Sequence, residues 1–121
     1  MARVYTKDDR VWRANVIRRD KRCIICNSIK DREAHHLNDY SYHPEERYIV
    51  SNGVTLCNGC HTLYHCDFNR SFRVKTTKKN FEEFIKVVNY VRSLSDVNLE
   101  LNSNQVIVTN NKINLEEILN K

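Results

Sequence analysis

Glycine and proline are scarce, two and one in 121 residues, which excludes a collagen-like or Pro/Gly-rich disordered chain. Nowhere do about 18 apolar residues follow one another, so no membrane-spanning helix and no membrane partner is expected. The opening Met1-Ala2-Arg3-Val4-Tyr5-Thr6-Lys7-Asp8 has no apolar stretch of signal-peptide length, and export by that route is not expected. Repeats and low-complexity segments are absent too. The chain has 40% hydrophobic and 29% charged residues with a mean hydropathy of -0.64, the composition of one small soluble domain with a modest core. Its five cysteines are an odd count, and four of them form two Cys-x2-Cys pairs. That pattern suits metal binding in a reducing cytoplasm better than a secreted disulfide scaffold.

The formal charge of +5 is uneven. Residues 1–30 carry nine Lys or Arg against three Asp or Glu, and residues 67–95 seven against three. Residues 31–66 carry two against five, and 96–121 two against four. Two basic segments thus flank a His-rich, mildly acidic centre, as on a nucleic-acid surface, although solvated surface charge gives the same count. Arg10, Arg13, Arg18, Arg19, Arg22, Arg70, Arg73, Lys75, Lys78 and Lys79 are the candidates for phosphate contact, which positions a duplex without reading its sequence.

Thr6 with Asp9 three residues on predicts a capped helix from about Lys7 to Lys21, with Trp12 and Val16 on one side and Arg10, Arg13 and Lys21 on the other. Short strands are expected at Glu33–Leu37, Tyr48–Val50 and Val54–Leu56, with a loop over Asn38–Arg47. A helix of about two turns from Asn58 to Cys66 places His61 and His65 on one face. Asn80 and Glu83 read as a capping box, followed by a core stripe of Phe81, Phe84, Ile85, Val88 and Val91. After Asp96 the alternation of Val97, Leu99 and Leu101 with Val106 and Val108 predicts a hairpin turning at Ser103-Asn104, then a last helix capped by Asn114. The expected division is a domain over residues 1–95 and a hairpin and helix tail over 96–121 that packs on the domain or on a partner chain.

Cys23-Ile24-Ile25-Cys26 and Cys57-Asn58-Gly59-Cys60 have the spacing that lets one turn supply two adjacent corners of a tetrahedron, and the two pairs complete a zinc shell. With no open position, such a Zn2+ is structural. Cys66 is left over, a plain small residue near a helix end. His61 directly follows Cys60, so a site of three cysteines and one histidine is a competing arrangement. Four of the five histidines form one constellation in the centre: His35-His36 on a short strand, then His61 and His65 around a helix, with Asn52 between.

The run Cys23-x2-Cys26, Ala34-His35-His36-Leu37 and Ser51-Asn52-Gly53-Val54-Thr55-Leu56-Cys57-x2-Cys60-His61-x3-His65 resembles the HNH (ββα-metal, or His-Me finger) nucleases in their zinc-stapled form. It covers residues 10–66, about half the chain, and the flanking helices look like those of small phage and bacterial members, free-standing homing endonucleases among them. Residues 97–121 match nothing in that family. The resemblance implies an α+β fold: a small ββα-metal nuclease core stapled by a four-cysteine zinc site, flanked by an N-terminal basic helix and a C-terminal amphipathic helix. It assigns His36 as general base, His35 and His61 as catalytic metal ligands, His65 as a further ligand and Asn52 as the brace that orients the base. The activity implied is metal-dependent hydrolysis of phosphodiesters in double-stranded DNA, leaving 5′-phosphate and 3′-hydroxyl ends, as in a phage homing or nicking endonuclease of the host cytoplasm. Mg2+ or Mn2+ is the expected catalytic cation by availability, while imidazole ligands also suit Ni2+ or Zn2+. Tyr40, Tyr42 and His43 are placed to line the DNA groove. Target sequence, nicking against double-strand cleavage, and a homodimer are left open. The rival readings are a zinc-stabilised DNA-binding module without activity, and a second zinc site at His35, His61 and His65 that serves structure alone.

Overall fold

The computed structural model describes residues 4–101, with side chains as far as residue 94. Helix α1 spans Lys7–Asp20 and opens on the expected capping box: the Thr6 amide donates to Asp9 Oδ2 at 2.8 Å and the Asp9 amide to Thr6 Oγ1 at 3.3 Å. Trp12 and Val16 form its buried side, and Lys21, at φ 66°, turns the chain out of the helix.

Strands β1 (Arg32–His36) and β2 (Gly53–Cys57) pair antiparallel, with His36 opposite Gly53, His35 opposite Val54 and Glu33 opposite Leu56. Opposed residues share a face and successive ones alternate. Ala34, His36, Gly53 and Thr55 therefore face α1, while Glu33, His35, Val54 and Leu56 face the other way. The strands of this small α+β fold are these two among the described residues. The α1 side is sealed by Thr55, whose amide donates to Asp20 Oδ2 at 2.8 Å.

The strand expected at Tyr48–Val50 does not form. Its backbone hydrogen bonds go elsewhere: the Ile49 amide to Glu46, the Asn52 amide to Ile49, and the Ile49 carbonyl to the Trp12 indole. Val50–Asn52 is a 3-10 turn instead, as is Pro44–Glu46.

Helix α2 (Asn58–Thr62) runs into a π-helical stretch, Leu63–Asn69, and a last turn, α3 (Arg70–Phe72), so this helical run is longer than expected. Arg73, left-handed at φ 52°, stops it. Helix α4 spans Lys78–Leu101. Its start is held by Thr77, whose Oγ1 accepts from the Asn80 amide at 3.1 Å, and by Asn38, whose Oδ1 accepts from the Lys78 amide at 2.9 Å, so Asn80 is not the cap. Phe81, Phe84 and Ile85 join Val54, Leu56, Leu37 and Tyr64 in the core, and Val88 packs on its edge. Val91, counted in the core stripe from its spacing, is 54% exposed, since it lines an open groove beside Phe68 and Phe72 and is not enclosed in the core.

The backbone stays helical through Leu101, so Val97–Leu101 is not the first strand of a hairpin. Neither Gly nor Pro interrupts residues 78–101, and three alternating aliphatics do not outweigh an established helix. The turn at Ser103-Asn104, Val106, Val108 and the helix capped by Asn114 lie outside the described residues. No helix among the described residues is long and apolar enough to cross a membrane.

Candidate functional site

The first cysteine pair sits in the turn that follows α1. The Asn27 amide donates to the Cys23 carbonyl at 3.0 Å, with Asn27 at φ 67°, and the Ile24 amide donates to the Thr55 carbonyl at 3.0 Å, which docks this turn on β2. Cys57 ends β2 and caps α2, its Sγ accepting from the Cys60 amide at 3.4 Å. The four sulfurs lie within 4.8 Å of one another, Cys26 and Cys57 at 3.4 Å. Around a zinc at about 2.3 Å, tetrahedral thiolates stand about 3.8 Å apart, so the residues fit a structural metal such as zinc.

The surroundings shift three of the four thiols. Burial first, then Cys23, push the Cys60 thiol far up, and burial raises Cys26. Burial also pushes Cys57 up, but hydrogen bonds from the Cys60 amide and the neighbouring thiols outweigh it and bring that thiol down. A bound dication would stabilise these sulfurs as thiolates. His61 does not belong to this shell. Its ring nitrogen groups with His35 and His65, so the arrangement of three cysteines and His61 is not the one adopted. Cys66 is exposed and outside the cluster.

The three imidazoles form a second cluster on the other face of the sheet. His35 Nδ1 stands 3.3 Å from His61 Nε2, and His65 Nε2 stands 3.0 Å from the same atom. Nitrogens bound tetrahedrally at about 2.0–2.1 Å are about 3.3–3.4 Å apart, so this spacing too suits a metal ion. Glu33 Oε2 contacts His61 Nδ1, which puts the ring proton on Nδ1 and turns the Nε2 lone pair into the cluster. His35 is 2% exposed and its pKa is held well below the ordinary 6.5, by burial first and then by the His61, His65 and His36 charges. His65 is lowered by burial and by His61. His35 and His65 are thus biased toward neutral imidazole, the form that binds metal. Glu33 was not singled out from the sequence. Its signal was the strand alternation, which puts residues 33 and 35 on one face.

His36, one residue on, faces α1. Its ring stacks on Trp12 and its Nε2 lies 3.0 Å from the Arg47 carbonyl. Asn52, 6% exposed, ties the loop that supplies this carbonyl: Nδ2 donates to the Asn38 and Glu46 carbonyls at 3.1 and 3.2 Å, and Oδ1 accepts from the Asn38 amide at 2.9 Å. Asn38 is a second missed residue, joining Asn52, Glu46 and the start of α4 through hydrogen bonds of its own. An open groove of about 660 Å³ is lined by His35, His36, His61 and His65 together, with Glu33, Trp12, Arg13 and Tyr40.

Of the basic candidates, Arg13 lines this groove while donating to the Arg32 carbonyl at 2.9 Å. Arg19 is withdrawn as a phosphate contact. Its side chain is 10% exposed, paired with Asp20 at 2.8 Å and bonded to the Val50 and Gly53 carbonyls, so the guanidinium is an internal brace. Arg10, Arg18, Arg22, Arg70, Arg73, Lys75, Lys78 and Lys79 are exposed but do not line the groove. Tyr40 lines it, with the Arg47 guanidinium 4.2 Å from its ring centre. Tyr42 and His43 lie outside the lining, His43 paired with Asp39 at 3.2 Å. No protein family, curated protein or solved structure matches the chain.

Proposed function

We propose that the chain is a metal-dependent DNA endonuclease of the HNH type, with β1, β2 and the helix of His61 as a ββα-metal core. The observation that carries this reading is that three convergent imidazole nitrogens and a fourth imidazole, held apart from them by strand alternation, open on one groove. His35, His61 and His65 would hold a divalent cation, Mg2+ or Mn2+ by availability, Ni2+ or Zn2+ by ligand type. Three protein ligands leave a position open, unlike a closed structural shell. When bound there, the cation supplies polarisation of a phosphoryl oxygen and charge compensation at the leaving oxygen.

The remaining chemistry belongs to the chain. A carbonyl can only accept, so His36 donates its Nε2 proton to the Arg47 carbonyl, and the neutral ring carries its lone pair on Nδ1. That nitrogen can take a proton from water for attack on the phosphodiester. Asn52 keeps the carbonyl in place by fixing the loop, and Glu33 keeps His61 in its tautomer. The basic segments supply sequence-independent attraction to the duplex.

The test is incubation of purified protein with supercoiled plasmid and Mg2+, Mn2+, Ni2+ or Zn2+ in turn. Nicked or linear DNA whose ends a ligase reseals supports the reading, since resealing requires 5′-phosphate and 3′-hydroxyl ends. Tight, salt-sensitive binding without cleavage in any cation would instead make the chain a zinc-stabilised DNA-binding module.

A further inference from the structure

The chain has a single tryptophan, and it lies flat against the imidazole proposed as the base. The rings of Trp12 and His36 are parallel to within 10°, with centroids 3.8 Å apart. Trp12 is 4% exposed and pinned, its Nε1 donating to the Ile49 carbonyl at 2.9 Å.

Room for the indole comes from the sheet. Gly53 stands opposite His36 across the two strands. A Cβ there would lie 2.6 Å from Trp12 Cζ2 and 2.6 Å from Val16 Cγ2. Its φ of -128° suits any residue, so glycine is needed at this position for space and not for conformation.

A hydrogen bond at Nε2 fixes one atom of an imidazole but leaves the ring free to roll about it. A stacked surface fixes the plane. For His36 one restraint comes from the loop carrying Arg47, another from α1, and Tyr40 stands edge-on to the ring at 5.6 Å; of these, the stack on Trp12 is the one that sets the plane.

We propose that Trp12 is a positioning residue for His36, setting the plane in which its Nδ1 meets the attacking water, with Gly53 as the vacancy that admits the indole. This rests on the nuclease reading above. Trp12 edges the groove but is 4% exposed, so the role assigned to it is exercised through His36.

The experiment measures plasmid-cleavage kcat and KM, with zinc content, for wild type, Trp12→Phe, Trp12→Leu and Gly53→Ala. Trp12→Phe keeps a flat face and should stay within a few-fold of wild type. Trp12→Leu and Gly53→Ala should lower kcat by roughly 10- to 100-fold, the scale of a misplaced reacting group, with KM and zinc content little changed. In a His36→Ala background, Trp12→Leu should cost nothing further, since no ring remains to be positioned. An equal loss in both backgrounds, or full kcat in Trp12→Leu and Gly53→Ala, overturns the proposal.

Emission of the only tryptophan in wild type and His36→Ala decides the stack itself, whether or not the Trp12 variants fold. A changed intensity supports it, and identical emission overturns it. Wild-type inertness in every cation overturns the nuclease reading and the proposal with it, whereas an active wild type with unimpaired variants overturns the proposal alone.

Discussion

The cysteine cluster and the histidine cluster are both preorganised for a metal ion, yet they differ in completeness. Four thiols from two turns about thirty residues apart in sequence close a full tetrahedron and join the turn after α1 to the start of α2. Three imidazoles from β1 and the helical run after β2 stop one ligand short, and they do so at an open groove. A closed shell holds the chain together, while an open one leaves a position for another oxygen.

The comparison breaks first at the closed site. A zinc of this kind supplies about 10–16 kcal/mol of apparent binding energy, as much as the ~5–15 kcal/mol stability of a whole domain. Cys57→Ser should therefore unfold or aggregate, read by circular dichroism together with zinc content. A folded, metal-free Cys57→Ser protein would show that the thiols are not a staple. His61→Ala, at the open site, should leave the fold and the bound zinc in place and abolish only the second metal's binding, as read by calorimetry with Mn2+ or Ni2+.

A smaller effect is expected one shell out. Glu33→Gln removes the charged acceptor at His61 Nδ1 and should weaken binding at the histidine cluster by about 10- to 100-fold, with Tm of the zinc-loaded protein nearly unchanged. An unaltered titration would mean that Glu33 does not orient the ligand.

Acidification separates the clusters as well. His35 and His65 are held below the ordinary 6.5, so below about that pH the unfolded chain takes up protons that the folded chain refuses. Stability is complete above that value and falls as pH drops toward the lowered folded values. Thermal melts below about pH 6.5 should show a lower Tm than those near neutrality, and added Ni2+ should raise Tm most at neutral pH, where protons compete least for the imidazoles. A Tm independent of pH would remove burial of neutral imidazoles as a stability term. The smallest expected effect is that of Cys66→Ser, which lies exposed outside both clusters and should leave Tm and zinc content unchanged.

Most of both clusters was legible because their signals are local. Cys-x2-Cys, two adjacent histidines on a strand and an i, i+4 pair on a helix each bring ligands together through backbone geometry alone. The α1 cap at Thr6 was legible for the same reason. What was missed depends on contacts between segments far apart in sequence. Tyr48–Val50 has strand-like residues, but the Trp12 indole and the neighbouring turns take its hydrogen bonds. Arg19 resembles its solvated neighbours until Asp20 and two carbonyls fold around it. Asn38 gives no sign in sequence that it links Asn52 to the first turn of α4.

The most direct measurement is plasmid cleavage by His36→Ala beside wild type at equal metal and DNA occupancy. His36 is half-buried and belongs to neither cluster, so the variant should fold, keep its zinc and its second metal, and bind DNA as wild type does. The expected result is a rate lower by on the order of 10²-fold or more, the contribution of a positioned general base. Cleavage by His36→Ala at the wild-type rate would contradict the assignment of that imidazole, and with it the mechanism proposed for the groove.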